Sequence, residues 1–143
     1  MFKSKLILVS VLCGSPLFCD QGQAGEDSAQ VQCEQGHIDT KGLAALIASE
    51  VPLVILDARS GHWDDGKRIA QAQALSYETT AEQARALIPS KDSLVVVYCT
   101  GVHCPASGWL AKRLAELGYS NVLKYEEGIE EWLRAGFSVR ETR

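Results

Sequence analysis

The stretch "LVVVYCTGVHCPAS", residues Leu94 to Ser107, decides the fold. An apolar run of strand length leads into two cysteines, Cys99 and Cys104, and a helix is predicted behind the second. Continuous apolar runs are typical of parallel strands buried on both faces. Pro105 suits the first residue of a helix, because the N–H that it lacks would have no partner there. The stretch therefore predicts a strand, a short loop and a helix.

Strand and helix patterns also alternate on both sides of this stretch. The apolar run "LVIL" before Asp57 and the run "NVLKY" at 121–125 predict two more strands. Four helices are predicted. The first follows a cap at Asp39 or Thr40, and the second runs from a Thr80/Gln83 capping box to Pro89. The third runs from Pro105 to Gly118 and the fourth from Gly128 to Gly136. Residues 58–73 are rich in charge and glycine and predict a long surface loop. This order predicts an α/β fold with a parallel sheet covered by helices on both faces.

The first 24 residues predict a signal peptide. "MFKSK" is basic, "LILVSVLCGSPLF" is too short to span a bilayer, and small residues precede a cleavage site after Ala24. We expect residues 25–37 to form a polar N-terminal arm and residues 38–143 to form the domain. The protein is expected to be exported, to the periplasm or outside the cell, with no membrane association after cleavage. A net charge of −4 disfavours nucleic acid as a partner.

The cysteine count points to a reactive thiol. Cleavage would leave Cys33, Cys99 and Cys104, an odd number in an oxidising compartment. Ligands of parallel sheets gather at the carboxyl ends of the strands, where Cys99 and Asp57 are predicted to lie. Successive loop amides and the positive end of a helix would there form an anion site that favours the thiolate. Cys99 is therefore the candidate nucleophile.

Three other readings of the two cysteines remain open. Cys99 could be a small buried apolar group, since unpaired cysteines are often just that. Cys99 and Cys104 could form a structural disulfide. Cys99, His103 and Cys104 could bind a metal, although a structural zinc site normally needs a fourth protein ligand. We predict no metal.

Residues 38–139 resemble the single-domain rhodaneses, a family of sulfurtransferases. The resemblance rests on four segments in the family's order: "VILDAR" at its Asp-x-Arg element, "GKRIAQA" at its Gly-His-Ile-Pro-Gly-Ala segment, "VVVYC" at the strand before the catalytic cysteine, and "YEEGIEEW" at its closing Gly-Gly and Trp segment. It implies a rhodanese-like parallel sheet of about five strands with helices on both faces.

The resemblance also implies roles for individual residues. Cys99 matches the persulfide-forming cysteine, and Asp57 with Arg59 matches the structural pair that supports the loop. The substrate-binding loop would comprise Thr100, Gly101, Val102, His103 and Cys104. No cofactor is implied. The partners would be a small sulfur donor and a thiol or cyanide-like acceptor, with a partner protein as a further option.

The sequence departs from the family's pattern in several places. Arg68 occupies the histidine position, Gln73 replaces a glycine, and Glu127 replaces the first glycine of the closing segment. The loop has no lysine or arginine, which argues against thiosulfate, a dianion, as the native donor. Cys104 resembles the second cysteine of a variant loop, which would resolve a persulfide or close a disulfide.

Several functions therefore stay open. The main one is sulfur transfer through a Cys99 persulfide; the alternatives are a thiol redox or sulfur-carrier module that uses Cys99 and Cys104, and a non-catalytic binding domain. A related phosphatase would need an arginine at the end of the loop, and this loop has none. Among the other residues, Asp64 and Asp65 read as turn residues, His62 as an exposed side chain, and Trp63, Trp109 and Trp132 as packing groups, with Trp109 also placed to wall the pocket.

Overall fold

Five parallel strands form the central sheet of the computed structural model, which describes residues 35–142. Residues 35–142 contain seven strands in all: β1 (Gly36–His37), β2 (Leu53–Asp57), β3 (Lys67–Ile69), β4 (Gln73–Ala74), β5 (Leu94–Tyr98), β6 (Val122–Tyr125) and β7 (Val139–Glu141). The order in the sheet is β1-β6-β5-β2-β4, and every neighbouring pair is parallel. The predicted α/β fold with a parallel sheet of about five strands is confirmed.

The helices begin and end close to the predicted signals. They are α1 (Thr40–Ala48), α2 (Ala81–Leu87), α3 (Ala106–Glu116) and α4 (Gly128–Arg134). The Asp39 carboxylate caps α1 by accepting from the N–H of Gly42 at 2.7 Å, and the predicted capping box starts α2. Helix α3 begins one residue later than predicted, so that Pro105 is its N-cap.

Helices cover both faces of the sheet, as predicted. Side chains that alternate along a strand point to opposite faces, so Val95 and Val97 of β5 pack on one side and Val96 and Tyr98 on the other. The first face is covered by α2 and α3, and the second by α1 and α4. This arrangement buries β5 completely from Val95 onward and places its carboxyl end inside the molecule.

The prediction of one long loop over residues 58–73 is wrong in part. The segment contains a 3-10 turn (Gly61–Trp63), the strand β3 and the first residue of β4. Strand β4 extends the main sheet beside β2, while β3 pairs antiparallel with β7. The charge of Arg68 concealed β3 in the sequence, because this side chain is buried through ion pairs rather than exposed.

The predicted signal peptide and most of the predicted N-terminal arm lie outside the described residues. Within that arm, Gly36–His37 forms β1 at the edge of the sheet beside β6. Across residues 35–142, the helices are too short and too polar to cross a membrane.

Candidate functional site

Cys99 directly follows β5 and opens the two-cysteine loop, which we define as residues 99–105. Cys99 is 1% exposed, whereas Val102 and His103 are exposed at the tip of the loop. The N–H of Cys104 donates to the carbonyl oxygen of Gly101 at 3.0 Å and closes a tight turn. Within residues 35–142, no acceptor is found for the backbone N–H groups of Thr100, Gly101, Val102 and His103. Four of the five predicted cradle amides are thus unpaired, and that of Cys104 is used inside the loop.

A disulfide joins the sulfur atoms of Cys99 and Cys104, with their Cα atoms 6.4 Å apart. The Cys99 sulfur also lies 3.3 Å from the carbonyl oxygen of Cys104, an acceptor for the thiol in the reduced form. In the disulfide, neither sulfur is a thiolate that could attack a donor or bind a metal. No group of three or more histidine, cysteine or acidic residues suited to a metal ion occurs in the part of the chain that the structure describes.

The start of α4 holds the two-cysteine loop by its backbone. The N–H of Ile129 donates to the carbonyl oxygen of Cys99 at 3.0 Å, and the N–H of Glu130 donates to that of Thr100 at 3.1 Å. Gly128 has a φ of 65°, and a Cβ there would lie 2.5 Å from the carbonyl oxygen of Thr100 and 2.6 Å from that of Cys99. A glycine is therefore required where these two backbone segments touch.

Asp57 and Arg59 form a buried ion pair at the carboxyl end of β2, next to β5. Arg59 donates from Nη2 to Asp57 Oδ2 at 2.8 Å and from Nε to Oδ1 at 3.0 Å, and the Asp57 side chain is fully buried. Burial lowers the pKa of the Arg59 guanidinium, but the hydrogen bond and charge of Asp57 outweigh this and hold the pKa above its ordinary value. The geometry suits an anchoring role for the pair.

Four further side chains complete an ionic network around this pair, which we call the Asp57 network. Its added members are Asp64, Asp65, Arg68 and Tyr98. Arg68 Nη1 lies 3.3 Å from Asp57 Oδ2, and its guanidinium donates to both Asp64 oxygens at 2.6 Å. Arg59 Nη1 donates to Asp65 at 2.8 Å. Asp64 and Asp65 are therefore ion-pair partners as well as turn residues, a role that the sequence reading missed.

The ionisation of the network members follows from these contacts. The hydrogen bond from Arg68 lowers the pKa of Asp64, and the same bond raises the pKa of Arg68. The Tyr98 hydroxyl donates to Asp57 Oδ2 at 2.9 Å, and burial, together with the Asp57 charge, raises the pKa of Tyr98 well above its ordinary value. These contacts keep Asp64 and Asp65 ionised and Tyr98 neutral at neutral pH.

A cleft of about 610 Å³ opens over the two-cysteine loop. Its apolar walls include Trp63, Tyr77, Val102 and Trp109, and the Tyr77 and Trp109 rings meet edge to face at 5.0 Å. Trp63 is 64% exposed and Trp109 is 51% exposed, so the prediction that Trp63 is a packing group is wrong. Trp109 lines the cleft, whereas Trp132 is buried in the core.

An arginine, a histidine and a glutamate line the cleft: Arg59, His103 and Glu130. The Arg59 guanidinium is already engaged by Asp57 and Asp65. Glu130 Oε2 lies 3.0 Å from the position that a Cβ on Gly101 would occupy, so its carboxylate sits against the two-cysteine loop. The sequence reading missed Glu130 and Tyr77 as cleft residues, although Glu130 is marked by its place three residues after Glu127 in the matched closing segment.

Comparison with protein families finds a match to the rhodanese-like domain over residues 39–135. A search of curated proteins finds no match. A solved structure of a Bacillus halodurans protein shares 22% identity with a TM-score of 0.67, over 76% of this chain and 78% of that one. A Staphylococcus aureus rhodanese-like domain protein shares 18% identity with a TM-score of 0.62, over 76% of this chain and all of that one.

A thiosulfate sulfurtransferase from Pseudomonas aeruginosa is a third structural neighbour, with 20% identity and a TM-score of 0.61. The alignment covers 76% of this chain but only 21% of that enzyme. At this identity, the three structures support the fold alone. The family match covers more than half of the chain and spans β2, β5, the two-cysteine loop and α4. The chain therefore belongs to the rhodanese-like domain family.

Proposed function

We propose that this protein is an exported sulfurtransferase that carries sulfane sulfur as a persulfide on Cys99. The observation that carries the proposal is the position of Cys99 at the end of β5, in a loop that lines an open cleft and has four amides without an acceptor among residues 35–142. Such amides favour an anionic sulfur and the negative charge that develops during transfer. Export is proposed from the signal-like residues 1–24. Membership of the rhodanese-like domain family, and a structural neighbour that is a thiosulfate sulfurtransferase, support the general activity.

The proposed reaction takes place in two displacements. The reduced Cys99 thiolate attacks the sulfane sulfur of the donor, and the donor's leaving group departs with the electron pair of the broken bond. A nucleophilic acceptor, a thiolate or cyanide, then attacks the outer sulfur of the persulfide. Cys99 leaves as a thiolate, and the protein is ready for another donor. The acceptor is a small molecule or a cysteine of a partner protein.

Reduction of the disulfide must precede this cycle. Cys104 is partly exposed while Cys99 is buried, so an external thiolate attacks the Cys104 sulfur and releases Cys99 as a thiolate. A second external thiolate then frees Cys104, and the two external thiols leave as a disulfide. In the loaded protein, Cys104 can attack the inner sulfur of the Cys99 persulfide, which releases hydrosulfide and restores the disulfide.

The disulfide also favours a second candidate function, a thiol redox or sulfur-carrier module. In the redox form of this alternative, Cys99 and Cys104 exchange two electrons with a partner dithiol and no sulfur atom is transferred. In the carrier form, Cys99 holds a persulfide sulfur and presents it to one partner protein. A non-catalytic binding domain would neither exchange electrons nor carry sulfur.

Mass spectrometry of single cysteine variants tests the proposal. Reduced wild type, Cys99→Ser and Cys104→Ser are exposed to thiosulfate or polysulfide and then to cyanide, with Cys33→Ser as the matched control outside the loop. We expect Cys104→Ser and Cys33→Ser to gain a cyanide-labile sulfur atom and Cys99→Ser to lose both loading and turnover, because a hydroxyl is too weakly acidic to attack. The same spectra of exported protein should show a chain that begins near Gly25.

Two outcomes would contradict the proposal. Loading of Cys99→Ser but not of Cys104→Ser would reverse the roles of the two cysteines. A wild type that cycles between dithiol and disulfide but never carries sulfur would favour the redox module.

A further inference from the structure

The cleft over the two-cysteine loop is lined by exposed apolar side chains. Trp63, Val102 and Trp109 are each more than half exposed, and all three line this cleft. Clustered exposed apolar side chains mark binding surfaces, because burying them on a ligand is favourable. The walls are therefore suited to an apolar group next to the two-cysteine loop.

The charged side chains of the cleft disfavour a ligand with two negative charges. Among residues 35–142, Arg59 is the one lysine or arginine that lines the cleft, and Asp57 and Asp65 already pair with its guanidinium. The Glu130 carboxylate lies against Gly101 and pairs with no lysine or arginine in that same range. A dianion that enters the cleft would thus meet a negative charge with no unpaired lysine or arginine of residues 35–142 to offset it.

We propose that Glu130 and the aromatic walls make this cleft select organic sulfane donors, which carry an apolar group and at most one negative charge, over inorganic thiosulfate. The inference rests on the proposed function, since it names the donor class for Cys99. Glu130 acts as a specificity-determining residue that disfavours the second negative charge. Trp63 and Trp109 contact the apolar group of the donor.

Thiosulfonate anions are suitable probes because they transfer sulfur by the same step as thiosulfate. With thiosulfate, the Cys99 thiolate takes the outer sulfur, the S–S bond breaks, and sulfite leaves with the electron pair. With methanethiosulfonate or benzenethiosulfonate, the corresponding sulfinate leaves in the same way. Thiosulfate carries two negative charges and each thiosulfonate carries one, while the two thiosulfonates differ in apolar size.

The experiment measures the initial rate of sulfur loading on Cys99 in the reduced full chain, by intact mass, for all three donors. Each variant is compared with the wild type as a ratio between donors, so that the intrinsic reactivities of the donors cancel. Glu130→Gln should raise the thiosulfate/methanethiosulfonate ratio about fivefold at low ionic strength, and less at high salt. Glu141→Gln, which removes an exposed carboxylate on β7 away from the cleft, should leave this ratio unchanged.

The apolar contribution is measured with the other pair of donors. Trp109→Ala should lower the benzenethiosulfonate/methanethiosulfonate ratio about fivefold, because the phenyl group loses its apolar contact. Leu133→Ala, which removes an exposed apolar side chain outside the cleft, should not change it.

The outcomes separate this inference from the function on which it rests. Failure of all three donors to load Cys99 would remove the proposed function itself. Loading by every donor, with both ratios unchanged in Glu130→Gln and Trp109→Ala, would overturn the donor selection and leave sulfur transfer intact.

Discussion

At the scale of single residues, Asp57 is the centre of the structure beneath the site. Its fully buried carboxylate accepts hydrogen bonds from Arg59 and Tyr98 and lies within ion-pair distance of Arg68. A buried charge is tolerated only when its partners satisfy it. Because Asp57 ends β2 and Tyr98 ends β5, these bonds fix the two strand ends beside Cys99 relative to each other.

Replacement of Arg59 by alanine should therefore affect stability more than chemistry. Loss of one partner of a buried ion pair typically costs about 3–5 kcal/mol, because the other charge stays buried. Urea unfolding measures this cost, and the alkylation rate of reduced Cys99 measures the chemistry. The control Arg134→Ala, at an exposed side chain, should change the free energy of unfolding by less than about 0.5 kcal/mol. Unchanged stability with lost sulfur loading would instead place Arg59 in the substrate site.

At the scale of elements, the contact between α4 and the two-cysteine loop determines the shape of the loop. Two α4 amides bond the carbonyl groups of Cys99 and Thr100 without involving a side chain. Glu127 links this region to α1, since its carboxylate accepts from the N–H of Thr40 at 2.8 Å and from its hydroxyl at 2.5 Å. Glu127 thus connects the start of α4 with the start of α1.

Substitution of Gly128 by alanine tests this contact. A Cβ there would collide with backbone atoms of the loop, so we expect a large loss of stability and faster thiol reduction of the disulfide as the loop moves. Gly118→Ala is the matched control, because Gly118 also has a positive φ, of 88°, but has nothing within 4 Å. It should lose only the cost of a left-handed alanine, about 1–2 kcal/mol. Equal losses and equal reduction rates in the two variants would show that the contact does not hold the loop.

At the scale of the whole molecule, the Asp57 network makes stability sensitive to acid. The pKa of Asp64 and that of Asp65 lie below the ordinary 3.8, so the folded state binds fewer protons than the unfolded state. For Asp64, the cause is chiefly its hydrogen bond with Arg68. The resulting stabilisation is complete above pH 3.8 and is lost as the pH falls through the folded values.

Unfolding measured by urea between neutral pH and about pH 2 checks this expectation. Asp64→Asn should be less stable than the wild type at neutral pH. It should also lose less of its free energy of unfolding on acidification, because the side chain at position 64 no longer takes up a proton. Glu141→Gln, outside the network, should follow the wild-type curve. A wild type as stable at pH 2 as at pH 7 would contradict the role given to these carboxylates.

The sequence predicts the main sheet because three of its strands are apolar runs buried on both faces. It does not predict β3, where a charged side chain is buried by partners that lie four and eleven residues away. The position of Cys99 follows from local order, since it comes directly after a strand. Tyr77 carries no local pattern, so only the folded structure shows that it reaches the cleft, whereas Glu130 lies in the closing segment that the sequence already singles out.

The Cys99–Cys104 disulfide has a consequence for when the proposed transferase can act. In an oxidising compartment, a sulfur donor alone finds Cys99 held in the disulfide and cannot react with it. A reductant alone frees the Cys99 thiolate but supplies no sulfur. The proposed transferase would therefore transfer sulfur only where a reductant and a sulfane donor are both present. Its output would follow whichever of the two is scarcer.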